Sequence, residues 1–204
     1  MKTIVSASTL ALLFLSTQFA IAGTESFTGP SVGVDVNMQS MSTKVSGTLG
    51  GTATSGTFGE SAIAGSVKAA YGFATSDKSV LSFGGTYSLT DAKSGTVVAG
   101  ANTVKFLGKN AWNVYLEPGF LAGANTLIYG KAGYASFKGE TEGVATTPTT
   151  FRGYTYGIGI RSMIDNNLYV EIEGLQYKFS SKTFSGVTYE PSGTQANVGL
   201  GYKF

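Results

Sequence analysis

The feature that most constrains this chain is a two-residue alternation that returns eight times. The last ten residues carry it most plainly: Ala196, Val198, Leu200, Tyr202 and Phe204 fall on one face, and Gln195, Asn197, Gly199, Gly201 and Lys203 on the other. A period of two over that length specifies a β-strand and excludes a helix. The same pattern sets Val32, Val34, Val36 and Met38 against Gly33, Asp35, Asn37 and Gln39. It recurs in segments centred on Val67 and on Gly85. It recurs again from Trp112 to Phe120, Ile128 to Tyr134, Tyr154 to Arg161 and Leu168 to Glu173. The non-apolar face is mostly Gly, Ala, Ser and Asn. Small residues suit the crowded inside of a narrow barrel, whose apolar residues then point outward. The competing fold is a soluble sandwich or lipocalin-like barrel, with the apolar face inward and a charged exterior.

The connections alternate as well. Short polar turns sit at residues 75–78, 122–125 and 165–167, and long polar segments at 40–61, 91–110, 138–150 and 180–193. Short turns at one end and long loops at the other is the layout of an outer-membrane barrel, with both chain ends on the periplasmic side. The fold expected is therefore all-β: one eight-stranded, antiparallel, up-and-down transmembrane barrel with short periplasmic turns and long extracellular loops. The first loop, rich in Gly, Ser and Thr, is expected to be mobile. Aromatic residues at strand ends mark two interface girdles, Phe73, Phe120, Tyr202 and Phe204 on one side, Tyr87, Trp112, Tyr134 and Tyr154 on the other. Pro118 interrupts the fourth strand, and a bulge is expected there beside Gly119.

Ahead of the first strand, Lys2 precedes an apolar run through Leu10–Leu15 that ends in Ala20-Ile21-Ala22. A charged start, a short apolar core and a small-x-small site make a secretory leader, residues 1–22, cleaved after Ala22. Residues 23–204 form the barrel domain. Charged residues are only 13% of the 204, and cysteine and histidine are absent. An exported chain without cysteine has no disulfide framework. A net charge of +2 gives no reason to expect nucleic acid as a partner.

Three stretches carry a family resemblance: residues 115–120 (Tyr-Leu-Glu-Pro-Gly-Phe), residues 126–135, and the terminal Val198-Gly-Leu-Gly-Tyr-Lys-Phe204. Together they resemble the small outer-membrane β-barrels that include opacity-type surface proteins and the transmembrane domain of OmpA-like proteins. The resemblance implies that Leu200, Tyr202 and Phe204 form the signal read by the barrel-assembly machinery. It also implies a place in the outer membrane of a Gram-negative-type bacterium, with membrane lipid around the barrel. OmpA-like proteins often continue into a periplasmic peptidoglycan-binding domain; this sequence stops at Phe204, so the resemblance does not lead one to expect cell-wall anchoring.

Barrels of this kind that are enzymes use a histidine as base or as part of a catalytic pair, and this chain has none. Glu171 and Glu173 are a conceivable carboxylate pair, but they sit at alternate positions of a lumen-facing strand, where ion pairing is the simpler role. No metal or cofactor is expected: metal ligands are scattered, and Gly157-x-Gly159 and Gly199-x-Gly201 lack the third glycine and following helix of a nucleotide loop.

The lumen charges carry more information. Asp35, Glu117, Glu171 and Glu173 are matched in number by Lys68, Lys131, Arg161 and Lys203. A turn centred between 123 and 124 places Glu117 opposite Lys131 to within one residue, and one centred on 166 places Arg161 opposite Glu171. Two functions are compatible with this. The first is a non-enzymatic, monomeric scaffold with its lumen closed by ion pairs, displaying loops to external surface ligands. The second is a narrow porin-like channel in which the same charges line a pore.

Overall fold

The computed structural model describes residues 23–49, 52–99, 102–142, 148–184 and 186–204; the leader read at 1–22 lies outside the described residues. The barrel strands are β1 (Gly29–Leu49), β2 (Thr52–Ser76), β3 (Ser79–Ser88), β5 (Asn102–Leu121), β6 (Thr126–Glu142), β7 (Thr149–Met163), β8 (Leu168–Phe179) and β10 (Val187–Lys203). Two short strands, β4 (Ala92–Ala99) and β9 (Lys182–Phe184), pair with β5 and β10. Each barrel strand runs antiparallel to the next, and β10 pairs with β1 from Ser31↔Lys203 to Gly47↔Val187, closing a ring of eight.

Closure puts every alternating segment in one orientation. Val32, Val34, Val36 and Met38 face outward and exposed, whereas Asp35, Asn37 and Gln39 point inward and are buried. The same inversion holds on each barrel strand, so the polar groups are in the middle and the apolar groups on the outside. Such a surface is stable only against hydrocarbon, which rules out the soluble alternative. No helix among the described residues is long and apolar enough to cross a membrane. Both aromatic girdles face outward, with the Trp112 and Tyr134 rings 6.0 Å apart and Tyr202 edge-on to Phe204 at 5.1 Å.

The turns at Asp77–Lys78, 122–125 and 164–167 are short, as expected. The long segments differ from expectation. Instead of leaving the sheet at Ser40, β1 and β2 stay paired from Ser40↔Ser61 out to Leu49↔Thr52. The segment 91–110 contains β4 and the first part of β5, and 180–193 contains β9 and the start of β10. The physical reason is that backbone pairing continues where the bilayer ends. Outward positions turn from Val and Met to Ser40, Ser42 and Lys44, so the apolar signal stops while the hydrogen-bond ladder does not.

The bulge expected at Pro118 is not formed. The β5–β6 ladder skips Glu117 and Pro118 and resumes at Gly119↔Tyr129 in the register of Leu116↔Ala132. A missing N–H donor removes bonds without adding a residue. The register shift falls instead between Lys109 and Trp112, where Asn110 takes a left-handed φ of 51° that asparagine tolerates.

A closed ring gives a direct test. The protein refolded in detergent should have a strand-type circular dichroism spectrum and should migrate differently on gels with and without boiling. A helical spectrum, or full solubility without detergent, would contradict this architecture.

Candidate functional site: a charged layer across the lumen

One cross-strand row runs over five strands: Arg161 (β7), Glu171 (β8), Gly199 (β10), Asp35 (β1) and Ser66 (β2). The row above adds Gly159, Glu173, Asn197, Asn37 and Ala64 in the same strand order. All these side chains point into the lumen because they share the parity of the inward face. Glycine supplies the room: a Cβ at Gly199 would overlap the Asp35 carboxylate, and one at Gly201 the Tyr169 ring.

The charges interlock in a chain. Lys68 pairs with Asp35 at 2.7 Å and also with Glu171. Arg161 Nε donates to Glu171 Oε2 at 2.8 Å, and its Nη2 donates to Glu117 Oε2 at 3.1 Å. Lys131 pairs with Glu117 at 2.9 Å and with Glu173. Three cations thus join four carboxylates across β1, β2, β5, β6, β7 and β8. Each of the seven residues is 5% exposed or less. Neutral groups complete the layer. Tyr129 Oη donates to Glu173 Oε1 at 2.8 Å, Asn197 Nδ2 to Glu173 Oε2 at 2.8 Å, and Ser66 Oγ to Asp35 at 3.3 Å. Lys131 lies 4.0 Å above the Tyr115 ring, and Arg161 sits between the Tyr129 and Tyr169 rings at 5.0 and 4.9 Å.

The structure therefore brings together Asp35, Lys68, Glu117, Lys131, Arg161, Glu171 and Glu173. Lys203 stands apart: two rows below the charged row, it donates to the Glu25 backbone carbonyl at 2.6 Å. With Lys203 outside it, the layer carries four carboxylates against three cations, not the balanced set expected. Glu171 and Glu173 are both paired with cations, Glu171 with Lys68 and Arg161 and Glu173 with Lys131. Leu200 and Tyr202 on β10 and Phe204 just beyond it face outward, and the Phe204 N–H donates to the Pro30 carbonyl at 3.0 Å.

Two further groups of side chains flank the layer, and the alternation did not single them out. At the short-turn end, the 3-10 turn Thr24–Phe27 tucks into the mouth and buries Phe27 with Val80, Leu127, Tyr129, Met163 and Tyr169. At the long-hairpin end, Phe137 stacks on Phe151 at 5.2 Å and meets Phe179 edge-on at 4.7 Å, beside Leu175 and Tyr177. A cavity of about 60 Å³ remains between this aromatic group and the charges, lined by Asn37, Gln39, Ser66, Asn113 and Tyr177 among others. The available signal was the set of large residues with inward parity, Tyr115, Tyr129, Tyr169 and Tyr177. Among the described residues no group of three or more acidic side chains is placed to hold a metal ion.

The sequence model of the family described as outer membrane protein beta-barrel domain matches residues 7–204. No curated protein sequence matches the chain. Among solved structures, Neisserial surface protein A is similar at 16% identity and a TM-score of 0.52, over 87% of this chain and 98% of that one. Ail, the attachment invasion locus protein of Yersinia pestis, has 16% identity and a TM-score of 0.49, over 87% and 99%. OprG from Pseudomonas aeruginosa has 12% identity and a TM-score of 0.49, over 87% and 97%.

Proposed function

Because this chain belongs to the outer membrane protein β-barrel family, we propose that it is a non-enzymatic surface-display scaffold: a closed, monomeric barrel that holds its long hairpins outside the cell. The observation that carries this reading is the charged layer, seven interlocked side chains that bridge the lumen and fill it. A pore needs a continuous wet path, and eight strands leave little space once inward side chains are in place. Here that space is further occupied by Phe27 below and the Phe137–Phe151–Phe179 group above. The part free to vary without disturbing the barrel is the set of hairpins formed by β1–β2, β4–β5, β6–β7 and β9–β10. External surface ligands would meet the protein there.

The same proposal includes export and assembly. Residues 1–22 serve as the leader, and cleavage after Ala22 makes Gly23 the first residue, directly before the turn that docks in the short-turn mouth. The C-terminal strand, with Leu200, Tyr202 and Phe204 on its outer face, is the element presented to the barrel-assembly machinery. Membrane lipid surrounds the apolar exterior.

Planar-bilayer recording tests the closed lumen. The wild-type protein is expected to be silent across the physiological voltage range. Large, steady, ion-selective conductance would overturn the scaffold reading and establish the narrow channel in its place.

A further inference from the structure

The outward surface of the barrel is not uniformly filled. One cross-strand row reads Ile158 (β7), Gly174 (β8), Ala196 (β10), Met38 (β1) and Ile63 (β2). Ile158 and Met38 stand out at 73% and 65% exposure, with Ile63 beyond Met38 at 76%, while between Ile158 and Met38 the surface falls to a glycine and an alanine. Nothing lies within 4 Å of a Cβ built at Gly174, so crowding does not require glycine there. The result is a hollow of about 860 Å³ in the outer wall, at the long-hairpin margin of the apolar band. From β7 to β1 it spans three interstrand steps, about 14 Å, wider than one extended hydrocarbon chain.

Above the hollow the chemistry changes in order. The next outward row is Tyr156, Gln176, Thr194, Ser40 and Ser61; the one after is Tyr154, Lys178, Ser192, Ser42 and Gly59. Lys178 therefore stands over the floor of the hollow, on the same face of the same strand as Gly174 and Gln176. Arg152 faces outward one row higher on β7, the strand next to it; the Ser180 N–H donates to its carbonyl at 2.8 Å. Neither cation has a side-chain partner among the described residues. Among the described residues the outward acid nearby is Glu190, one row above Ser192 on β10, where it lies opposite Lys44.

We infer that this hollow is a binding site for an anionic membrane lipid with more than one acyl chain, its chains lying on Gly174 and Ala196 and its phosphate headgroup held by Arg152 and Lys178. The arrangement matches an amphiphile from end to end: apolar floor and walls, a band of hydroxyl and amide groups at the depth of a linker, then two cations at the depth of a headgroup. A guanidinium beside an ammonium is suited to phosphate oxygens, which accept several charge-assisted hydrogen bonds at once. A second copy of the chain is a poor occupant. A twofold axis along the membrane normal would set hollow against hollow and leave it unfilled, and would bring Lys178 to the same depth as its symmetry mate. The inference rests on the exterior being bathed in lipid and is independent of whether the lumen conducts.

Native mass spectrometry of the full barrel, released from micelles containing phosphatidylglycerol and phosphatidylcholine with matched chains, tests it. The wild type should retain the anionic lipid over the zwitterionic one by about tenfold or more, as two charge-assisted contacts imply. Arg152→Ala with Lys178→Ala should bring that ratio close to one. Gly174→Leu, which fills open space, should lower retention of both lipids while the boiling-dependent gel shift stays as in the wild type. Equal retention of the two lipids by the wild type, or undiminished retention by Gly174→Leu, would overturn the inference. So would displacement of lipid by equimolar inorganic phosphate, which would reduce the site to two surface cations. Crosslinked dimers that vanish in Gly174→Leu would give the hollow to a second copy instead.

Discussion

Replacing Arg161 by alanine is expected to be the most damaging single change in the barrel. Arg161 bonds both Glu117 and Glu171 and lies between two tyrosine rings, and it is 4% exposed. Breaking a buried ion pair from one side leaves its partner charged and unpaired, at a cost of about 3–5 kcal/mol. Here two carboxylates lose a partner at once, although Lys131 and Lys68 remain beside them. The charge count sets a direction. With every group ionised the layer holds one net negative charge, so loss of a cation doubles the imbalance and loss of a carboxylate removes it. Arg161→Ala should therefore destabilise more than Glu171→Ala. The double variant should cost less than the two single changes summed, the mark of groups in direct contact. Urea unfolding in detergent, followed by the boiling-dependent gel shift, measures all three. If Glu171→Ala is the worse change, or if the two costs add, the layer does not act as one coupled network.

Deleting Phe204 is expected to do the opposite: to reduce outer-membrane protein severely while leaving the refolded barrel nearly unchanged. The Phe204 side chain is 66% exposed and points away from the lumen, so it contributes little to the folded core. Its ring meets Tyr202, and its N–H reaches Pro30 at the seam where β10 closes on β1. Substitutions at exposed positions with no such role shift stability by about 0.5 kcal/mol or less. A large fall in the cell with unfolding in detergent unchanged would separate a signal used in assembly from a contact used in stability. Replacing Phe204 by a charged residue should act in the same direction. Undiminished surface yield after deletion would remove Phe204 from the assembly signal, and a matching loss of stability in detergent would make it a structural residue.

What the sequence determined by itself was everything that depends on a period of two and on short turns. Parity decides which face a side chain takes, so the outward valines of β1, the inward glutamates of β8 and the two aromatic girdles could be read directly. Short turns also fix register between neighbouring strands. Arg161 is aligned with Glu171, and the flanking pairs place Glu117 across from Lys131. The tertiary structure alone decided whatever depends on depth and on closure. Parity put Lys203 in the lumen but could not say that it lies two rows below the charges. Lys131 reaches Glu173 from β6 to β8, Arg161 reaches Glu117 from β7 to β5, and Lys68 reaches Glu171 from β2 to β8. None of these strand pairs is adjacent in the ring, and the contacts exist only because the sheet curves until its inner faces meet. The paired segments beyond Ser40 escaped for a related reason. An apolar alternation is written by the bilayer, and once the strands leave it only the backbone ladder, which side-chain pattern does not record, keeps them together.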